Sequence, residues 1–143
     1  MIKVGRREHR GEIIREMTKK YGIEDCVVEI GYVSEENMPL LYSGADMFVF
    51  PSRFEGFGLP VLEAMATECP VVTSNVTSIP EVVGGAVQMF DPDDTEGMAD
   101  IVLNCIKHPE LRLEMGQKGR VRAELFGWDK SAEETMKIYR SFQ

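Results

Sequence analysis

DMFVFPSRFEGFGLPVLEAMATE, residues Asp46–Glu68, decides the fold. Its opening run, Met47-Phe48-Val49-Phe50, is short and rich in aromatic and branched side chains, the composition of a buried strand. Pro51-Ser52 ends that strand. The loop Arg53-Phe54-Glu55-Gly56-Phe57-Gly58 carries two glycines, which permit backbone geometry that other residues avoid. Leu59-Pro60 starts a helix, because proline suits the first helical turn, where its absent N–H is not missed. Val61, Leu62, Ala64, Met65 and Ala66 supply a packing face. Strand, glycine loop and helix start together present free N–H groups and a helix dipole to an anionic ligand, beyond the carboxyl end of a strand.

Two carboxylates belong to this unit, Glu55 in the loop and Glu63 in the helix. Helical side chains lean toward the N-terminus, so Glu63 is expected to point back over the first turn toward the loop. Carboxylate oxygens accept hydrogen bonds from neighbouring sugar hydroxyls. N–H donors for phosphate with hydroxyl acceptors on either side suit a nucleotide sugar, which carries those groups in that order.

Composition is that of an ordinary globular chain. At 143 residues it is read as a single domain, 1–143, with 43% hydrophobic and 28% charged residues. No apolar run approaches the ~20 residues that cross a bilayer, and MIKVGRREHR has no apolar segment of the signal-peptide kind. A cytoplasmic protein is the default expectation. The 24 acidic residues outnumber 16 basic ones for a net charge of −8, which argues against phosphate-driven nucleic-acid binding. Cys26, Cys69 and Cys105 are odd in number and widely spaced, so they indicate neither a disulfide framework nor a zinc site; they are expected to be buried small apolar residues.

Along the chain, strands are expected at Ile2–Gly5, Val27–Ile30, Met47–Phe50, Pro70–Thr73 and Val87–Phe90, the last at an edge. Between them lie helices at Arg7–Tyr21, with Ile13, Ile14, Met17 and Tyr21 on one face, and from Ser34 to about Ser43, capped by Ser34. Ser74–Thr77 reads as a polar loop facing the same crevice, and Ser78-x-x-Glu81 has the form of a capping box for a short helix ending at Gly84-Gly85. Three helices close the chain: one with Met98, Ile101, Val102, Cys105 and Ile106 on one stripe, then Glu110–Leu125 and Ser131–Ser141, with Phe126 and Trp128 as packing anchors. His9 and His108 sit at helix ends and are given no catalytic role. Alternation of strands and helices implies α/β architecture: a Rossmann-like parallel sheet of about five strands with helices on both faces.

The run Glu55-Gly-Phe-Gly-Leu-Pro-Val-Leu-Glu63 resembles the E-x7-E signature of retaining, GT-B-fold glycosyltransferases of group 1 (GT4-like). Gly31-Tyr32-Val33-Ser34, Pro70–Ser74, Ser78–Gly84 and Asp91-Pro92 match in order and spacing, and the resemblance extends to the Trp128 and Tyr139 region. It implies the C-terminal, donor-binding half of such an enzyme. By that resemblance Glu63 accepts hydrogen bonds from the ribose hydroxyls, Glu55 is the catalytic residue at the transferred sugar, and the N–H groups of Phe57, Gly58 and Leu59 meet sugar or diphosphate. Gly56 shares the turn. Tyr32 and Val33 fall where the family places the base, with Gly5 near the same crevice, although ordinary strand-end packing accounts for them equally. Arg53, the cation of the loop, either helps neutralise a diphosphate or is a surface arginine.

Resemblance implies a UDP-, GDP- or ADP-hexose donor, a hydroxyl acceptor on a sugar or lipid, and no metal or other cofactor. It also implies parts that this chain lacks: the family's N-terminal acceptor domain, and the first strand-helix unit with its Gly-Arg…Lys stretch. In the usual doubly wound order that strand lies between Ile2–Val4 and Met47–Phe50. The isolated chain is therefore expected to bind donor weakly and to lack transferase activity; the full-length enzyme is cytoplasmic or peripheral at the membrane. The alternative is a non-catalytic binding or assembly module that forms a homodimer, or pairs with a partner, through the open sheet position.

Overall fold

A computed structural model describes residues 1–5 and 10–142. Their contacts form two units, Met1–Met38 and Pro39–Gln143.

In the first unit, β1 (Ile2–Val4) pairs in parallel with β2 (Val28–Gly31). Ile2 lies opposite Val28 and Lys3 opposite Glu29; the register then shifts, setting Val4 against Gly31. Lys3 and Glu29 close an ion pair across the ladder at 3.0 Å. Helix α1 (Arg10–Lys20) has Glu12 in its first turn and Lys19 and Lys20 in its last, each complementing the helix dipole. The Arg7–His9 part of the expected helix lies outside the described residues. Gly22, at φ +64°, ends α1 in the left-handed conformation that glycine adopts without strain. The apolar face expected on α1 stands mostly in solvent: Ile13, Met17 and Tyr21 are exposed. A two-stranded sheet has too little surface to bury it.

Two expectations are corrected here. No helix starts at Ser34. Its carbonyl instead accepts from the N–H groups of Asn37 and Met38, making one turn, and α2 (Met38–Ser43) follows. A helix from residue 35 would place Pro39 in its interior, against the carbonyl four residues back, whereas the observed start places it in the first turn. Cys26 is exposed, in a single 3-10 turn at Glu24–Cys26; Cys69 and Cys105 are buried as expected.

The second unit holds β3 (Phe48–Phe50), β4 (Val71–Ser74) and β5 (Gln88–Phe90), in the order β3-β4-β5. Both pairings are parallel, Phe48 opposite Val71 and Val72 opposite Gln88. The central strand β4 is buried along its whole length, and β5 is an edge as expected. All five strands among the described residues thus pair in parallel, but as two sheets rather than one.

Helix α3 (Leu59–Ala66) buries Val61, Ala64 and Met65. It is followed by α4 (Ile79–Val83), α5 (Thr95–Lys107), α6 (Pro109–Ala123) and α7 (Trp128–Arg140). Val72 and Phe90 of the sheet pack with Cys105 of α5 and Met115 of α6, flanked by Met47, Val49, Met98, Ile101, Val102 and Leu111. Asp94 caps α5 through a hydrogen bond from the Gly97 N–H at 2.8 Å. Helix α6 approaches α3 closely at its glycines: a Cβ on Gly116 would collide with the Glu68 carbonyl, and one on Gly119 would lie 3.3 Å from Met65 Cγ. No residue of α7 is buried, and Trp128 is 80% exposed, so it is not the packing anchor expected. Phe126 is half-buried and does pack. None of the described helices is long and apolar enough to cross a membrane.

Candidate functional site

The segment from β3 to α3 folds as strand, loop and helix, and it gathers Arg53, Glu55, Gly56, Phe57, Gly58, Leu59 and Glu63 into one continuous stretch. Gly58 is the N-cap of α3 at φ +93°, a conformation that disfavours any side chain, and a Cβ there would lie 2.5 Å from Ile79 Cδ1. Local geometry therefore favours glycine at position 58. Gly56 is different: a Cβ would meet nothing within 4 Å, and its backbone is not left-handed. The turn does not need Gly56.

The N–H groups of Val61 and Leu62 bond the Gly58 carbonyl, at 3.0 and 3.2 Å. Leu59, ahead of them, has no helical acceptor, as first-turn geometry dictates. No hydrogen bond among the described residues uses the N–H of Phe57, Gly58 or Leu59. These donors sit at the positive end of an eight-residue helix.

Hydroxyls from β4 and the turn after it hold this loop in place. Thr73 donates to the Phe50 carbonyl at 3.0 Å, and Ser74 donates to the Ser52 carbonyl. Thr77 Oγ1 accepts the Glu55 N–H at 3.1 Å, and Ser78 Oγ donates to the Glu55 carbonyl at 3.1 Å. Thr77 takes a left-handed φ of +50°, an unusual conformation for a β-branched residue. Ser78 makes no capping bond in α4, which corrects the capping box expected at Ser78–Glu81. Its hydroxyl serves the loop instead. Sequence reading missed this clamp; the polar run Ser74–Thr77 was its only signal.

Glu55 is half-buried with both main-chain polar groups fixed, and Glu63 is exposed on α3. Tyr42 of α2 donates its hydroxyl to Glu63 Oε2 at 3.4 Å. Burial pushes the Tyr42 hydroxyl well above its ordinary pKa, and the nearby Glu63 charge adds to the shift. Phe57 meets Phe126 edge-on at 5.8 Å, and the Arg122 guanidinium stacks over the other ring at 5.0 Å. Arg122 also donates to the Val82 and Glu81 carbonyls at 2.8 and 2.5 Å, which ties the end of α4 to α6. Leu59 is 46% exposed at the helix start. Arg53 forms an ion pair with Asp93 of the β5–α5 turn. Both side chains are exposed, so this is a surface contact.

Gly5, Tyr32 and Val33 belong to the first unit. Gly5 follows β1 at φ +123° and donates its N–H to the Gly31 carbonyl at 2.8 Å, so the carboxyl ends of β1 and β2 are tied together. Tyr32, next after Gly31, is 72% exposed, and Val33 is half-buried. No cluster of three or more His, Cys, Asp or Glu side chains among the described residues is arranged to hold a metal ion.

Comparison with known proteins places the chain in a family. The model for glycosyl transferases group 1 matches residues 4–122. O-antigen chain mannosyltransferase B of Escherichia coli is 36% identical over 140 residues, which cover 98% of this chain and 37% of that protein. Sucrose-phosphate synthase of Thermosynechococcus elongatus superposes with a TM-score of 0.90 at 27% identity, over 99% of this chain and 38% of that one. HepE of Anabaena, solved in complex with UDP-glucose, superposes at 0.88 with 21% identity over 98% of this chain and 40% of that one, a likeness of fold. The chain spans well under half the length of these relatives. It belongs to the group 1 family of glycosyltransferases.

Proposed function

We propose that the chain is the donor-binding half of a retaining glycosyltransferase that moves a hexosyl group from a nucleotide sugar to a hydroxyl acceptor. The β3–loop–α3 segment carries this reading: three N–H groups without acceptors among the described residues, at the positive end of a helix, with Glu55 and Glu63 before and after them. In this reading the amides of Phe57, Gly58 and Leu59 take the diphosphate and sugar, Glu63 accepts the ribose hydroxyls, and Glu55 contacts the transferred hexose. Stabilising the departing diphosphate is the main electrostatic task of such a reaction. Membership of the group 1 family supports the reaction class, and the mannosyltransferase relative supports a hexose. A chain of the same fold holds UDP-glucose, which supports a nucleotide sugar as donor. No metal takes part in this reading.

Titration calorimetry with UDP, GDP and ADP tests it. We expect weak but measurable binding of one nucleotide, lost in Glu63→Ala, and no hexosyl transfer by the chain alone. Binding indifferent to both Glu63→Ala and Glu55→Ala overturns the site. A second reading, self-association, is favoured by one observation: each sheet leaves strand edges unpaired among the described residues. A dimer whose mass is unaffected by nucleotide, measured by light scattering, supports that reading; a monomer removes it.

A further inference from the structure

We infer that Tyr42 is a positioning residue for donor binding, its hydroxyl holding the Glu63 carboxylate in the orientation that receives the ribose. The inference rests on the donor-site reading above and adds a residue that neither the motif nor its spacing points to.

The two side chains differ in freedom. Glu63 stands exposed on α3, where a glutamate samples several rotamers, and fixing it on binding opposes affinity. Tyr42 is 6% exposed and does not move freely. Its ring meets Phe48 edge-on at 5.2 Å with planes 76° apart, and Phe48 stacks on Phe50 at 5.6 Å. Phe48 and Phe50 belong to β3, the strand that leads into the donor loop. The Tyr42 hydroxyl is thus referenced to the same strand as the loop.

A buried phenol hydroxyl needs an acceptor, and the one it has is Glu63 Oε2 at 3.4 Å. That separation is long for O–H···O, so the bond biases the carboxylate more than it locks it. Glu63 keeps the lone pairs of Oε1 for ligand hydroxyls. Burial and the Glu63 charge both keep Tyr42 protonated, so it remains a donor throughout the neutral and alkaline range; Cys69, the other ionisable neighbour acting on it, works in the same direction. Pre-orientation of this kind raises affinity by lowering the ordering penalty rather than by adding a ligand contact.

The test is a double-mutant cycle on this chain. Calorimetry with the tightest-binding of UDP, GDP and ADP is run on the wild type, Tyr42→Phe, Glu63→Gln and the double variant, each checked for an unchanged fold by thermal unfolding. The carboxyl carbon of Glu63 is followed in parallel by 13C NMR. Tyr42→Phe is expected to weaken binding roughly 3–10-fold, to shift the Glu63 carboxyl resonance, and to have no further effect once Glu63 is Gln. Wild-type affinity in Tyr42→Phe alongside weak binding by Glu63→Gln overturns this inference alone. So does an equal loss in both backgrounds, or an unmoved Glu63 resonance. A wild-type chain that binds no nucleotide overturns the donor-site reading, and the inference with it.

Discussion

Ser78 donates its hydroxyl to the main-chain carbonyl of Glu55, 23 positions earlier, at 3.1 Å. Thr77 accepts the N–H of the same residue, so both polar groups of the Glu55 backbone are held by the turn after β4. The geometry of one strand–loop–helix unit is thereby set by the next. For a site on a loop, this replaces the rigidity that a helix or strand would supply.

Removing that hold has a defined consequence. Ser78→Ala leaves the Glu55 carbonyl without its donor and is expected to lower stability by about 1 kcal/mol, seen as an earlier urea midpoint. Nucleotide affinity falls with it, because Glu55 and the amides after it share the loop. Unchanged affinity alongside the lost stability would mean that the clamp serves the fold alone.

The two loop glycines separate folding from binding. Gly58→Ala forces a Cβ against Ile79 at a left-handed φ and is expected to destabilise the chain by about 1–3 kcal/mol. Gly56→Ala meets open space in the loop of the proposed site and is expected to leave the melting temperature within a degree or two while weakening nucleotide binding. A destabilised Gly56→Ala, or one with full affinity, contradicts this division.

Alkaline stability carries the signature of Cys69. Burial raises its pKa from 9.0 to about 11. A raised folded pKa favours the protonated native state, so this contribution is complete below about pH 9 and is lost as pH rises toward 11. The loss is on the order of 2–3 kcal/mol, and Cys69→Ala is expected to flatten that part of the profile. Cys105 is shifted upward by burial too, and Tyr42 acts at higher pH, so the slope is reduced rather than abolished. Urea midpoints taken at unit steps from pH 8 to 11 read it; superimposable profiles would contradict the assignment.

The helix contact at Gly116 is equally specific. A methyl group there meets the Glu68 carbonyl, a backbone atom that cannot swing aside, so Gly116→Ala is expected to destabilise by about 1–3 kcal/mol. Calorimetric melting of the variant measures it. Helix propensity alone would predict the opposite sign, since alanine is the better helix former.

Where the sequence was punctuated, it was legible. Pro51, Gly58 and Pro60 mark the end of β3 and the start of α3, and the β4 run Val71-Val72-Thr73 reads as a strand because both of its faces are buried. The Glu55-x7-Glu63 run that carries the resemblance lies within that punctuated stretch. What could not be read is what depends on distant partners. Ser78-x-x-Glu81 has the local form of a capping box, but the carbonyl of Glu55 competes for the hydroxyl and wins. The stripe Ile13, Met17 and Tyr21 has helical spacing, yet spacing does not say what covers it, and in the first unit all three are exposed. Tyr42 was silent in sequence for the same reason: its partner lies 21 positions away on another helix.

The central claim is that the amides at the start of α3 receive the donor's phosphates. Two-dimensional 15N NMR of the chain, titrated with UDP-, GDP- and ADP-hexose, tests it most directly. The account predicts that the amide signals of Phe57, Gly58 and Leu59 shift most strongly, saturably, and together with signals near Glu63. Saturable shifts confined to other parts of the chain, or no shifts with any donor, would contradict it.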